Sequence, residues 1–134
     1  MKRTLLVLAC AGLLAPAALA AHHAVTPVKT VTAAKLGKIV VNTHGLALYT
    51  WSRERDGHVR CTGACANRWH PLLVMKGDMV VKHVKGVMGT LGTVMRPDGH
   101  EQVTLDKHPL YTFSGDMKME ALGNGVAGWS VVKA

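Results

Sequence analysis

The chain has 134 residues, sixteen Lys and Arg against eight Asp and Glu, a formal net charge of +8, and only three Trp, two Tyr and one Phe. That length is one domain's worth and can bury an adequate core without extensive crosslinking. The basic residues are scattered singly and no aromatic residues interleave with them, which argues against nucleic-acid binding and leaves a weak attraction to anionic surfaces such as envelope lipids or polysaccharide.

Residues 1–20 have a basic start (Lys2, Arg3), an apolar stretch from Leu5 to Leu14 and the small-x-small site Ala18-Leu19-Ala20. This is the layout of a secretory signal peptide, whose removal leaves Ala21 first. The apolar run is short and is followed by Pro16, so it does not suit a membrane span, and no transmembrane segment is expected after cleavage. Val7-Leu8-Ala9 ahead of Cys10 resembles a lipidation box but would leave almost no hydrophobic region before the cysteine. An exported protein, periplasmic or secreted and without a lipid anchor at Cys10, is the expectation. Loss of Lys2 and Arg3 leaves fourteen basic residues against eight acidic ones, or +6 with neutral histidines.

Residues 21–33 read as an exposed lead-in without a clear period. From Lys38 to Trp51 the pattern Ile39-Val40-Val41, a polar break at Asn42-Thr43-His44-Gly45, then Leu46 onward predicts two strands and a short turn. A helical turn or two fits only Thr62 to Arg68. Further strands are predicted at Thr93 to Met95, Gln102 to Leu105, Leu110 to Phe113 and Trp129 to Val132, separated by Pro-Asp-Gly-His and Asp-Lys-His-Pro turns. No segment sustains a 3.6-residue period, so the class is mainly β.

The segment Leu48-Tyr49-Thr50-Trp51-Ser52 returns as Leu110-Tyr111-Thr112-Phe113-Ser114. Gly63 and Trp69 return as Gly123 and Trp129, and Leu36-Gly37 has an apparent match in Leu91-Gly92. The reading is a single compact domain, residues 34–134, built from two pseudo-repeats of short antiparallel strands, about 34–75 and 87–134. The unequal offsets point to an insertion in the second copy, assigned to Glu101-Gln102-Val103-Thr104-Leu105. Strand alternation sets Tyr49 and Trp51 on one side and Leu48 on the other, with one side as core. Tyr49, Trp51, Tyr111 and Phe113 are expected to anchor the packing, and the tyrosine hydroxyls then need partners, for which Glu54 and Asp116 are candidates.

Tyr49-x-Trp51-x-x-Glu54 and Tyr111-x-Phe113-x-x-Asp116, with Cys61-Thr62-Gly63-Ala64-Cys65-Ala66-x-x-Trp69-x-Pro71-Leu72 between them and Asp98-Gly99-x-x-Gln102-Val103-Thr104 ahead of the second, resemble the bacterial secreted-repeat proteins described as predicted lipoproteins with a Yx(FWY)xxD motif. The resemblance spans nearly all of the chain after residue 20. Glu54 stands where that family usually has Asp, and His70 where Pro is common. The resemblance implies an exported repeat module of unestablished biochemical function.

Signal removal turns three cysteines into a pair, Cys61 and Cys65, which an oxidising compartment favours as a disulfide, with Gly63 supplying the bend that a four-residue spacing needs. The rival reading adds His58 and His70 to the two cysteines as a zinc site, although the spacing is not that of a familiar zinc module. No cofactor is required by any motif. A terminus Ala21-His22-His23 could surround Cu(II) or Ni(II) in a square plane through its amine, two backbone amides and the His23 imidazole. Met75, Met79, Met88 and Met95 are expected as core filler. Ser52 and Ser114 lie near His44 and His108 in sequence, but no Gly-x-Ser-x-Gly elbow accompanies them.

These residues describe a non-enzymatic, exported envelope module, structural or binding, with an unidentified envelope partner. A periplasmic transition-metal (copper-type) binding protein is the alternative, and an envelope enzyme comes third.

Overall fold

A computed structural model describes residues 21–134. The expected signal peptide of residues 1–20 and the Cys10 site lie outside the described residues.

The chain enters through two short strands, β1 (Ala24–Val25) and β2 (Val28–Ala33), and turns back into β3 (Gly37–Asn42). β2 and β3 pair antiparallel, with Val28 opposite Asn42 and Ala33 opposite Gly37. The exposed lead-in expected over residues 21–33 is thereby corrected, because Val28 and Ala33 are buried strand residues. Lys29, Thr30 and Thr32 gave that stretch a polar look, yet the strand buries Val28 and Ala33 at its two ends and leaves the residues between them exposed or half-buried.

β4 (Tyr49–Trp51) runs into a short 3-10 turn, Ser52–Glu54. The helix expected near the cysteines is α1 (Ala64–Arg68), followed by β5 (Trp69–Pro71), β6 (Leu73–Val74) and β7 (Met79–Val80). The second half supplies β8 (Leu91–Met95), β9 (Glu101–Leu105), β10 (His108–Pro109), β11 (Tyr111–Phe113) and β12 (Trp129–Val131). The fold is mainly β, as the sequence predicts.

Backbone hydrogen bonds define the equivalence of the halves. Val40 N–H donates to Val132 O, Val132 N–H to Leu48 O, and Leu48 N–H to Val40 O, at 2.8–3.0 Å. In the second half the same cycle links Val103, Leu72 and Leu110 at 2.8–2.9 Å. Val103 therefore stands where Val40 stands, an offset of 63 (103 minus 40). This corrects the expected insertion: β9 is the counterpart of β3, and Leu91-Gly92 opens the strand that matches β2, so its likeness to Leu36-Gly37 is a coincidence of sequence.

Each cycle borrows one member from the other half: Val132 closes the first and Leu72 the second. The central sheet repeats the exchange. Its strand order is β12-β4-β11-β5, with Tyr49 facing Tyr111 at the middle, Trp129 facing Trp51 on one side and Trp69 facing Phe113 on the other. Each repeat thus lends its last strand to the other, and an approximate two-fold relation passes between the tyrosines.

The core has two clusters, and the central sheet contributes to the first. One cluster gathers Ile39, Val41, Tyr49, Trp69, Tyr111 and Trp129, and a second gathers Val40, Leu48, Leu91, Val103, Leu105 and Leu110. Adjacent residues such as Leu48 and Tyr49 enter different clusters, both fully buried. The expectation that one side of Leu48 to Ser52 is core is corrected at its start, where Leu48 and Tyr49 are both buried; beyond them Thr50 and Trp51 are half-buried and Ser52 is exposed. The methionines are corrected as well: Met75, Met79, Met88 and Met95 are exposed, and Val, Ile, Leu and aromatic side chains fill the core instead.

Candidate functional site

The motif residues converge on the two-fold relation. Trp51, Trp129, Trp69 and Phe113 form one continuous stack, with centroid separations of 5.1, 4.0 and 4.7 Å in that order. The first two contacts are nearly parallel, at 1° and 7°, and the third is tilted by 38°. Tyr49 meets Trp69 edge-on at 5.2 Å, and Tyr111 meets Trp129 in the same way at 5.0 Å. Aromatic pairs in such geometries contribute roughly 0.5–1.5 kcal/mol each beyond their buried area. Arg53 lies over the Trp51 ring at 5.5 Å and Arg68 over Phe113 at 6.0 Å, so a guanidinium covers each end of the stack.

The tyrosine hydroxyls point away from the stack toward carboxylates of the opposite repeat. Tyr49 donates to Asp116 Oδ2 at 2.5 Å, and Tyr111 donates to Glu54 Oε1 at 3.0 Å. Burial, and then the adjacent Asp116, pushes the Tyr49 hydroxyl well above the ordinary tyrosine range. Burial and the Glu54 charge do the same to Tyr111. Asp116 is itself raised by burial, an effect opposed by the hydrogen bonds from Tyr49 and the Leu122 N–H. Both phenols are fixed donors, unsuited to giving up a proton near neutral pH.

Around Tyr111 the interior becomes polar. Glu54 is fully buried, and its Oε1 also accepts the N–H groups of Arg60 at 2.6 Å and Cys61 at 2.8 Å. Arg96, only 2% exposed, donates to Gln102 Oε1 at 2.7 Å and to Cys61 O at 2.9 Å, and its Nε lies 3.3 Å from Asp98. Gln102 in turn donates to Leu110 O at 2.7 Å. By the offset of 63, Arg96 and Gln102 take the places of Ala33 and Ile39, so the second half carries a charged, hydrogen-bonded patch where the first is apolar. Sequence reasoning missed Arg96 and quoted Gln102 only within the family motif and a predicted strand; the available signal was a Gln inside the otherwise strand-like Glu101 to Leu105.

Cys61 and Cys65 are joined in a disulfide, with their Cα atoms 5.2 Å apart. Gly63 adopts φ 55° between them, the bend expected from the sequence. The zinc reading falls with this bond, because sulfurs bonded to each other are not thiolate ligands. His58 and His70 are separately engaged: His58 Nδ1 lies 3.3 Å from Asp56, and His70 Nε2 lies 2.9 Å from Asn67 O. His22 Nδ1 is 2.7 Å from Gly77 O, while Ala21 and His23 are exposed beside it. Among the described residues no group of three or more His, Cys, Asp and Glu side chains is placed to hold a metal ion. The structure therefore gathers Tyr49, Trp51, Glu54, Tyr111, Phe113, Asp116 and the disulfide, and engages His58 and His70 with Asp56 and Asn67.

No curated protein and no solved structure matches the chain. A family model described as a secreted repeat of unknown function matches it twice, over residues 29–73 and 92–133, which are the two interlocked halves described above. The chain belongs to this secreted-repeat family, with its tyrosine motifs at the junction of two copies.

Proposed function

We propose that this is a non-enzymatic module of the cell envelope that docks on an anionic surface through its cationic exterior. The supporting observation is that all eight carboxylates of the chain are engaged internally. Glu54 and Asp116 hold the tyrosines, and Asp56 and Asp98 hold Arg60 and Arg96. Asp78, Asp106 and Glu120 accept the backbone N–H groups of Met75, Thr90 and Met117. Glu101 takes the Thr93 hydroxyl and the Gly77 N–H.

Carboxylates held in this way are poor candidates for acid–base work on a substrate. They also leave the cations unbalanced: among the described residues only Arg60 and Arg96, of fourteen Lys and Arg, pair with a carboxylate. The Arg60 guanidinium grips Asp56 through two contacts of 2.6 and 2.7 Å and holds that carboxyl well below the usual range. The remaining positive groups face outward, where their field attracts anionic surfaces within a Debye length of about 8 Å at physiological salt. Among the described residues no helix is long and apolar enough to cross a membrane.

Retention of the purified protein on acidic phospholipid vesicles and on an immobilised acidic polysaccharide, measured across a salt series, tests the proposal. Retention on at least one of them at physiological ionic strength, declining as salt rises, is expected. Retention on neither contradicts it.

A further inference from the structure

The two repeat matches leave residues 74–91 unclaimed between them. This segment has its own chemistry. It carries three lysines, Lys76, Lys82 and Lys85, against a single acid, Asp78, whose Oδ2 accepts the Met75 N–H at 3.1 Å. It also carries three methionines that project into solvent: Met75 is 78% exposed, Met79 56% and Met88 75%.

These side chains are held outward by the fold. Val80, Val84 and Val87 pack against the second core cluster, pinning the segment at three points. β7 adds a parallel pairing with β1, Ala24 opposite Met79, and Leu91 N–H donates to Lys82 O at 2.8 Å. The valines face in, so Lys82, Lys85 and Met88 face out.

Singly scattered apolar side chains on a surface need no explanation. Three unbranched apolar side chains interspersed with three lysines on one pinned segment are a different matter. Cations alone would serve any polyanion, whereas the methionines gain only where the partner has an apolar layer beneath its charge. A bilayer with acidic headgroups has both, and interfacial binding adds buried apolar area to attraction between lysines and anionic lipid.

We infer that the inter-repeat segment 74–91 is a membrane-surface docking element, whose lysines meet acidic phospholipid headgroups while Met75, Met79 and Met88 enter the headgroup–acyl boundary. This rests on the anionic-surface reading above and names the partner for it.

The test uses vesicles of phosphatidylcholine with and without phosphatidylglycerol, and three triple variants whose melting temperatures are checked against the parent. Lys76→Gln/Lys82→Gln/Lys85→Gln is expected to weaken binding to the acidic vesicles by about 100-fold, at roughly fivefold per lysine. Met75→Gln/Met79→Gln/Met88→Gln is expected to weaken it by about tenfold without changing the net charge. A remote control that removes the same charge, Lys35→Gln/Lys118→Gln/Lys133→Gln, near Leu36 and Met119, is expected to change it by less than about threefold. The inference is overturned if the remote triple matches the segment's lysine triple, or if the methionine triple binds like the parent. In either case an undiminished, salt-sensitive hold on acidic polysaccharide would leave the anionic-surface reading standing. Failure of the parent protein to bind any acidic surface sinks both.

Discussion

Tyr49 donates its hydroxyl hydrogen at 2.5 Å to Asp116, a carboxylate that lies 67 residues further along and in the other repeat. Tyr111 returns the bond to Glu54, 57 residues back. The Tyr-x-aromatic-x-x-acid motif is thus completed across the junction, each tyrosine by the acid of the opposite copy. A single copy supplies a donor and an acceptor that do not meet each other.

The two bonds differ in surroundings, and their loss should differ in cost. Glu54 is fully buried while Asp116 is partly exposed, so water can replace Tyr49 at Asp116 but cannot easily reach Glu54. Removing one partner from a buried polar group costs about 1–3 kcal/mol. Tyr111→Phe is expected near the upper end of that range and Tyr49→Phe near the lower, read from urea unfolding curves with unchanged slope. Equal stability of Tyr111→Phe and the parent would contradict the assigned bond.

Alkaline pH gives a second check. Both tyrosines are raised in the folded state, chiefly by burial, so above the unfolded tyrosine value near 10 the native state holds more protons than the unfolded chain. Stability is therefore complete below about pH 10 and falls as pH rises toward the folded values. The slope is roughly 1.4 kcal/mol per pH unit for each tyrosine. Phenolate absorbance is expected to appear in one cooperative step together with unfolding, and the Tyr49→Phe/Tyr111→Phe variant to lose that slope. Ionisation of both tyrosines near pH 10 in a folded protein would refute the burial argument.

Gly63 and Gly123 occupy equivalent places for different reasons. A Cβ at Gly123 would lie 2.5 Å from Cη2 of Trp69 and 3.1 Å from Cγ of Phe113, inside the aromatic stack. At Gly63 there is open space but φ is 55°. Gly123→Ala is expected to destabilise by about 1–3 kcal/mol through overpacking and to alter near-UV circular dichroism. Gly63→Ala is expected to cost about 1 kcal/mol through backbone strain, with that spectrum unchanged.

The disulfide stabilises one copy only, since Ala121 and Gly125 stand at the corresponding positions of the second. Closing so short a loop is worth about 2 kcal/mol on the chain-entropy model. Cys61→Ala/Cys65→Ala should therefore fold, with a lowered melting temperature. Among residues 21–134, a thiol assay on denatured, unreduced protein should find none free.

Local chemistry was legible in the sequence, and long-range exchange was not. The strand at Leu46 to Trp51, the helical turn after Gly63, the cysteine pair and the candidate acids for the tyrosines all follow from short spacing and residue type. The exchange of β5 and β12 between halves depends on pairing across the chain, which no local pattern encodes. β3 was legible as a strand from Ile39-Val40-Val41, although Ile39 and Val41 enter one cluster and Val40 the other, which erases the period of two. The methionines misled for a simpler reason: hydrophobicity favours burial of a residue, but a core already filled by Val, Leu and aromatic side chains leaves others outside.

If the repeats are interlocked halves of one body, neither should fold alone. Residues 21–86 and 87–134, prepared separately, are expected to show unfolded amide NMR spectra, and their equimolar mixture to recover the dispersed spectrum of the intact protein. A cooperative, dispersed spectrum from either fragment alone would show that a single repeat is self-sufficient and would contradict the exchange of strands and tyrosine partners described above.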